Sequence, residues 1–352
     1  ILDDLQLRSS VGGNLFNYFN PRYAPRTIYQ GSSANGVANI WQGRETELLN
    51  ENLLSYRVQD IGPGDLSMLG GFTFQTNRSE GTNMGAESFL VDATLWNNIG
   101  AGANNVTVGS YASEWTLLSW LARANYNLLD RYMFTATGRY DGSSKFGTEN
   151  KWAFFPSASA AWLVSEEQFM QDQTLFDELK LRASYGVTGN QPIATYASLA
   201  GLGTTEASIG GTRQVVFVPG GRAANPDLRW ETTRQFNAGM DVGVLDNRVT
   251  LSVDVYTGET EDLLLEVPLP FTSGFQTQLQ NVGSIENRGV ELQIETVNLE
   301  TADFSWRSSF NLAANRNEVV SLGGGQESLL LGTNTNRSWA WAVGGTSHIV
   351  EP

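Results

Sequence analysis

The sequence predicts an all-β fold, a transmembrane antiparallel β-barrel, on three observations. Long runs alternate between apolar and polar residues. The connections between these runs alternate short and long. No unbroken apolar run reaches the roughly 18 residues of a membrane helix. The clearest run carries Phe236, Ala238, Met240, Val242 and Val244 between Gln235, Asn237, Gly239, Asp241 and Gly243. After a turn at Asp246-Asn247, Val249, Leu251, Val253 and Val255 alternate with Arg248, Thr250, Ser252 and Asp254. Period-two alternation gives a strand with one apolar and one polar face. Runs of about ten residues or more are long enough to cross a bilayer at a tilt. Apolar residues on lipid and polar residues on a wet lumen are the pattern of an outer-membrane barrel.

Taken in order, strands are expected at 5–13, 48–60, 66–77, 113–128, 132–140, 152–165, 178–187, 228–245, 248–264, 285–297 and 303–315, with a short helix at 166–177. The turn Gly62-Pro63-Gly64-Asp65 joins the second and third. Trp120, Ala122, Ala124, Tyr126 and Leu128 share one face. Ala158, Ala160, Trp162 and Val164 share another, and Leu179, Leu181, Ala183, Tyr185 and Val187 a third, opposite Lys180, Arg182 and Ser184. Val290, Leu292 and Ile294 oppose Glu291, Gln293 and Glu295. Phe304, Trp306, Phe310 and Leu312 oppose Asp303, Arg307 and Asn311. A soluble β-sandwich also alternates. Placement of Trp115, Tyr132, Trp152, Trp162, Trp230 and Trp306 near strand ends reads as interfacial girdles instead. Short connections at 61–65, 129–131, 246–247 and 298–302 alternate with long ones at 14–47, 78–112, 188–227 and 265–284, as periplasmic turns and extracellular loops do. About eleven strands is an odd count that leaves two bare edges, which lipid does not tolerate. The chain is therefore expected to be one segment of a larger barrel, without a signal peptide, plug domain or final strands.

The formal net charge of −15 argues against nucleic acid as a partner. With no cysteine there is no disulfide, thiol nucleophile or cysteine-held zinc, and one histidine, His348, excludes a His-pair metal site. No cofactor and no metal are expected. Asp141-Gly142-Ser143-Ser144 lacks EF-hand spacing and reads as a tight loop between strands. Gly323-Gly324-Gly325 lacks the Lys-Ser/Thr of a phosphate cradle and reads as a flexible loop. Glu259, Glu261 and Asp262 read as a solvated rim rather than a glycosidase pair. Glu291, Glu295 and Arg307 are expected to pair across strands in the lumen. Asn77-Arg78-Ser79, Asn105-Val106-Thr107 and Asn336-Arg337-Ser338 match a glycosylation pattern that has no meaning on a bacterial outer membrane.

Asn225-Pro226-Asp227-Leu228-Arg229-Trp230-Glu231-Thr232 resembles the TonB-dependent outer-membrane transporters of the SusC/RagA type. The likeness continues through Asp254-Val255-Tyr256, Glu261-Asp262-Leu263-Leu264, Val267-Pro268-Leu269-Pro270, Ser273-Gly274-Phe275, Asn281-Val282-Gly283 and Asn287-Arg288-Gly289-Val290-Glu291-Leu292. Upstream, 139–147, 152–157 and 181–191 also fit, so the likeness covers roughly 113–352, while the first hundred residues fit by strand pattern.

The resemblance implies a 22-strand barrel around an N-terminal plug. It also implies a SusD-like lipoprotein lid, coupling to TonB–ExbB–ExbD through an N-terminal part not seen here, and import of glycans or peptides. It implies no enzyme. Aromatic faces beside amides suit sugar recognition, so loop residues Trp41, Trp96, Tyr111, Trp115, Asn190, Tyr196 and Asn225 are the substrate candidates. The alternatives are a siderophore or vitamin receptor of the same broad class, and a soluble β-rich glycan-binding domain.

Overall fold

The computed structural model describes residues 4–322, 328–334, 337–342 and 348–350. In chain order the strands are β1 Leu5–Ala24, β2 Val37–Ile61, β3 Gly64–Phe89, β4 Gly102–Leu128, β5 Tyr132–Ser143, β6 Trp152–Leu163 and β7 Glu178–Asn190. They continue as β8 Leu202–Ile209, β9 Thr212–Pro219, β10 Arg222–Ala223, β11 Glu231–Val244, β12 Val249–Glu261, β13 Leu264–Pro268 and β14 Thr277–Asn281. The last are β15 Ser284–Glu300, β16 Ser305–Ser321, β17 Ser328–Asn334, β18 Arg337–Ala342 and β19 His348–Val350.

One 11-stranded sheet runs β1-β2-β3-β4-β5-β6-β7-β11-β12-β15-β16. Every pairing from β5 to β16 whose register is recorded in it is antiparallel. Smaller sheets are β10-β14-β13, β17-β18-β19 and β8-β9. The strand count of the main sheet agrees with the alternation, and so does the order of connections. The chain turns within a few residues after β2, β4, β11 and β15. It makes longer excursions after β1, β3, β5, β7 and β12.

Several expectations about boundaries need correction. The first four strands run far beyond the predicted spans, so 14–47 and 78–112 are mostly paired strand rather than loop. Alternation signals a strand only where one face is apolar. Where the two faces do not differ regularly in polarity the pattern fades, but the backbone ladder continues. The helix expected at 166–177 is instead two single 3-10 turns at Val164–Glu166 and Gln168–Met170. The connection 188–227 contains the β8–β9 hairpin, closed by Gly210 and Gly211 at positive φ of 61° and 80°. Gly323-Gly324-Gly325 and Asn336 lie outside the described residues.

The chain divides into two compact units: 1–8, 53–72 and 119–352, and 9–52 with 73–118. In the first, register fixes the faces. Leu181, Met240, Val253, Leu292 and Leu312 form one apolar row across β7, β11, β12, β15 and β16. Lys180, Asp241, Ser252, Gln293 and Asn311 form the adjacent polar row. Apolar side chains remain exposed outside any protein core, as with Phe310 and Leu312 at 56% and 54%. A lipid-facing wall requires that arrangement.

Candidate functional site

The polar face of the first unit is organised by Arg182. Its Nε and Nη2 donate to the two oxygens of Asp241 at 2.8 and 3.0 Å, and its Nη1 and Nη2 to those of Asp254 at 3.1 and 3.0 Å. Ser252 completes the knot, accepting from Arg182 at 3.1 Å and donating to Asp241 at 2.6 Å. Planar forks on two carboxylates hold a guanidinium more rigidly than point contacts do. Gly239 lies in register between Arg182 and Asp254, and a Cβ there would stand 2.8 Å from the guanidinium carbon. The glycine is the opening through which the charges meet. Beside the knot, Glu178, Thr250, Glu295 and Ser309 share a row. Arg307 does not join Glu291 and Glu295 as expected. It registers with Val297 beside an irregularity in the ladder and reaches Glu300 at 3.1 Å. The wall is acidic and ordered, suited to polar cargo or to a polar domain within a barrel.

The second unit carries its own polar face. Tyr18 and Tyr111 meet hydroxyl to hydroxyl at 2.7 Å. Gly43 and Gly81 make this possible, since a Cβ would stand 2.5 Å from the Tyr18 oxygen at one and 2.8 Å from the Tyr111 ring at the other. Gln75 donates to Glu47 at 2.6 Å and Asn77 to Glu45 at 2.8 Å on the same face. A hollow of about 520 Å3 adjoins the tyrosines, lined also by Gln42, Arg44, Glu80 and Thr82. At the end of β1, Tyr23 donates to Asp92 at 2.7 Å, with Arg26 on the same carboxylate at 3.3 Å. Burial, and then the Asp92 bond, push the Tyr23 phenol up to about 12. The same bond and Arg26 hold Asp92 below the usual carboxylate range.

The substrate candidates are partly brought together. Trp41 and Tyr111 are on strands, not loops, which corrects their expected setting, while Trp115 lies on β4 within the strand expected at 113–128. Trp41 falls between Asn39, beside Gly85, and Gly43, beneath Tyr18. Thr76 and Thr116 contact each other on the opposite side, so Trp115 shares the face of Tyr111. Period two thus sets Trp41, Tyr111 and Trp115 on one polar face. Trp96 sits half-buried on the 3-10 turn Leu95–Ala101. Asn190, Tyr196 and Asn225 belong to the other unit. Asn190 donates to Glu231 at 3.1 Å, Tyr196 is exposed at a φ of 62°, and Asn225 donates to the Leu279 carbonyl at 2.8 Å while capping the Asp227 amide. Sequence reasoning missed Tyr18 and the Arg182 knot. A glycine within alternation, facing an aromatic or a charge on the next strand, is the signal that marks both.

The motif Asn225–Glu231 proves architectural. Leu228 is wholly buried, and Trp230, expected in an interfacial girdle, is instead buried against Phe146 and Phe155 with centroids 4.8 and 5.5 Å away. Its indole donates to the Lys151 carbonyl at 2.9 Å. Trp115 likewise leaves the girdle for the polar face, whereas Tyr132 and Trp162 pair in register and stack at one strand end. Asp262 and Glu261 are not a free acidic rim: they pair with Arg229 and Arg234. Asp141, Gly142 and Ser143 are the buried last residues of β5 rather than a loop between strands, with Asp141 held by Arg139 at 2.7 and 2.8 Å.

The sequence profile of the family described as TonB dependent receptor-like, beta-barrel matches residues 3–338. TonB-dependent receptor P3 of Formosa agariphila is 39% identical over 93% of this chain and 32% of its own length. TonB-dependent receptor SusC of Bacteroides thetaiotaomicron is 34% identical over 93% of this chain and 32% of its own. The solved RagAB peptide transporter superposes with a TM-score of 0.86 at 27% identity, covering 99% of this chain and 38% of that one. The chain thus spans about a third of the length of the curated relatives it matches.

Proposed function

The chain belongs to the TonB-dependent receptor β-barrel family, a family of the bacterial outer membrane, and from that membership we propose that it is part of the wall of an active importer of oligosaccharides or peptides. The observation that carries this reading is the match to the RagAB peptide transporter along 99% of the chain, joined to a wall polar on one face and apolar on the other.

In this reading the 352 residues are one stretch of a larger barrel whose remaining strands close the sheet. A plug domain lies against the polar wall, TonB–ExbB–ExbD displaces it, and a SusD-like lipoprotein covers the outer mouth. Substrate meets the Trp41, Tyr111 and Trp115 face, where flat rings and neighbouring amides suit sugar or peptide surfaces. The protein carries no covalent chemistry.

Uptake by cells tests the proposal. Fluorescent oligosaccharides and peptides are offered to cells with the full-length gene intact, deleted, or intact with TonB inactivated. Accumulation in the first alone supports the reading. Equal accumulation in all three overturns it.

A further inference from the structure

The apolar face is not uniform. Across β4, β5, β6, β7 and β11 it sinks into a trench of about 560 Å3. Two registered rows build it. Phe134, Ala160 and Ala183 form one, and Ala136, Ala158, Tyr185 and Phe236 the next. Alanines make the floor, while the exposed rings of Phe134, Tyr185 and Phe236 stand as walls. The row beyond Phe134 is Tyr132, Trp162 and Leu181, all bulky. The depression is therefore closed by bulky side chains at that end of the strands.

Its depth in the membrane follows from the same rows. The short connections define the periplasmic end of such a barrel. Tyr132 and Trp162 stand at that end, stacked at 6.3 Å and 16°, with the indole donating to Glu167 at 3.0 Å and Arg131 3.5 Å from the same carboxylate. Paired rings of this kind mark the headgroup level. Phe134 is two residues further in, about 7 Å at the rise of a strand. The trench therefore lies in the periplasmic half of the hydrocarbon core, about 15 Å deep.

We propose that this trench is a seat for one acyl chain of an inner-leaflet phospholipid, with the headgroup at Arg131, Tyr132 and Trp162. The inference rests on the membrane reading above. The volume is on the scale of one chain, and the walls offer ring faces to methylenes. In lipid there is no hydrophobic gain from association. Preference comes instead from close packing over small residues, where a gap forfeits dispersion contacts outright. Disordered lipid leaves such gaps, and a seated chain fills them.

The test uses the full-length protein in nanodiscs of phosphatidylethanolamine carrying an acyl diazirine, with adducts mapped by peptide mass. Peptides bearing Phe134 and Tyr185 should carry about fivefold more adduct than those bearing Val253 and Leu292, equivalent to about 1 kcal/mol. Ala160→Trp should fill the trench and bring the ratio to one. Ala160→Leu serves the same purpose should the tryptophan block folding. Even labelling of all four sites, or a ratio unmoved by either substitution, overturns the proposal. Labelling by diazirine-bearing lipid A but not by phosphatidylethanolamine overturns the assignment to the inner leaflet. Absence of adducts at all four sites would defeat the membrane reading itself.

Discussion

The guanidinium of Arg229 closes on the carboxylate of Asp262 through two hydrogen bonds of 2.9 and 2.7 Å. The pair is the visible part of a clasp between three distant motifs. Asn281 accepts from the Arg229 amide at 2.9 Å and donates to the carbonyls of Arg229 and Asp262 at 2.7 and 3.0 Å. Residues that carry the family likeness at 225–231, 261–264 and 281–283 thus converge on one loop junction. Hydrogen bonding to Asp262 raises the Arg229 pKa, so the guanidinium that holds the clasp stays charged.

The junction should depend on burial far more than on charge. The Arg229 side chain is 54% exposed, and an ion pair that open to solvent contributes about 1 kcal/mol or less. Leu228 is wholly buried, and Leu228→Ala should cost about 2–5 kcal/mol. Denaturant unfolding of the full-length protein with each substitution checks the order. Equal losses for Arg229→Ala and Leu228→Ala would refute it.

Gly147 is the tightest point of the same junction. A Cβ there would lie 1.7 Å from the Pro226 carbonyl oxygen, and its amide donates to the Leu228 carbonyl at 3.0 Å. Gly147→Ala should cost about 1–3 kcal/mol and free the 144–151 loop to protease. Unchanged protease resistance would mean the two segments do not dock.

The Tyr23–Asp92 clasp should open at both ends of the pH scale. Asp92 is lowered in the fold, so its contribution is complete above the unfolded carboxylate value of about 3.9 and is lost as pH falls through the lower folded value. Tyr23 is raised to about 12 by burial and by Asp92. Its contribution is complete below the unfolded value of about 10 and is lost as pH rises through the folded one. Hydrogen exchange at residues 88–92 should therefore be slow and flat between roughly pH 4 and 10, after correction for intrinsic rates. Protection that declines steadily across that window would contradict the assignment.

The face assignment predicts an asymmetry on a single strand. Val253→Arg puts a charge on lipid near mid-span and should destabilise the barrel by about 2–4 kcal/mol. Thr250→Arg enters the polar row beside Glu295 and should cost much less. Folding yield in outer membranes, read by heat-modifiable gel mobility, separates the two.

Much of this was legible in the sequence for a physical reason. Lipid on one side and water on the other impose period two, and β11, β12 and β15 carry it without interruption. The parts that were not legible lack that contrast. The parts of β1 to β4 around Trp41 and Tyr111 lack a regular apolar alternation, so both read as loop residues although they are paired strand. Trp230 read as a girdle residue because burial against Phe146 depends on a loop 80 residues away. The Arg182 knot needs three strands in register, and only Gly239 hinted at it.

The most direct test of the account is a cysteine scan along β12, possible because this sequence has none of its own. Single cysteines at 249–261 of the full-length protein, in an otherwise cysteine-free background, are reacted in outer membranes with a water-soluble and with a lipid-soluble maleimide. Thr250, Ser252 and Asp254 positions should favour the water-soluble reagent, and Leu251, Val253 and Val255 the lipid-soluble one. Reactivity without that alternation, or water access on both faces, would contradict a membrane wall.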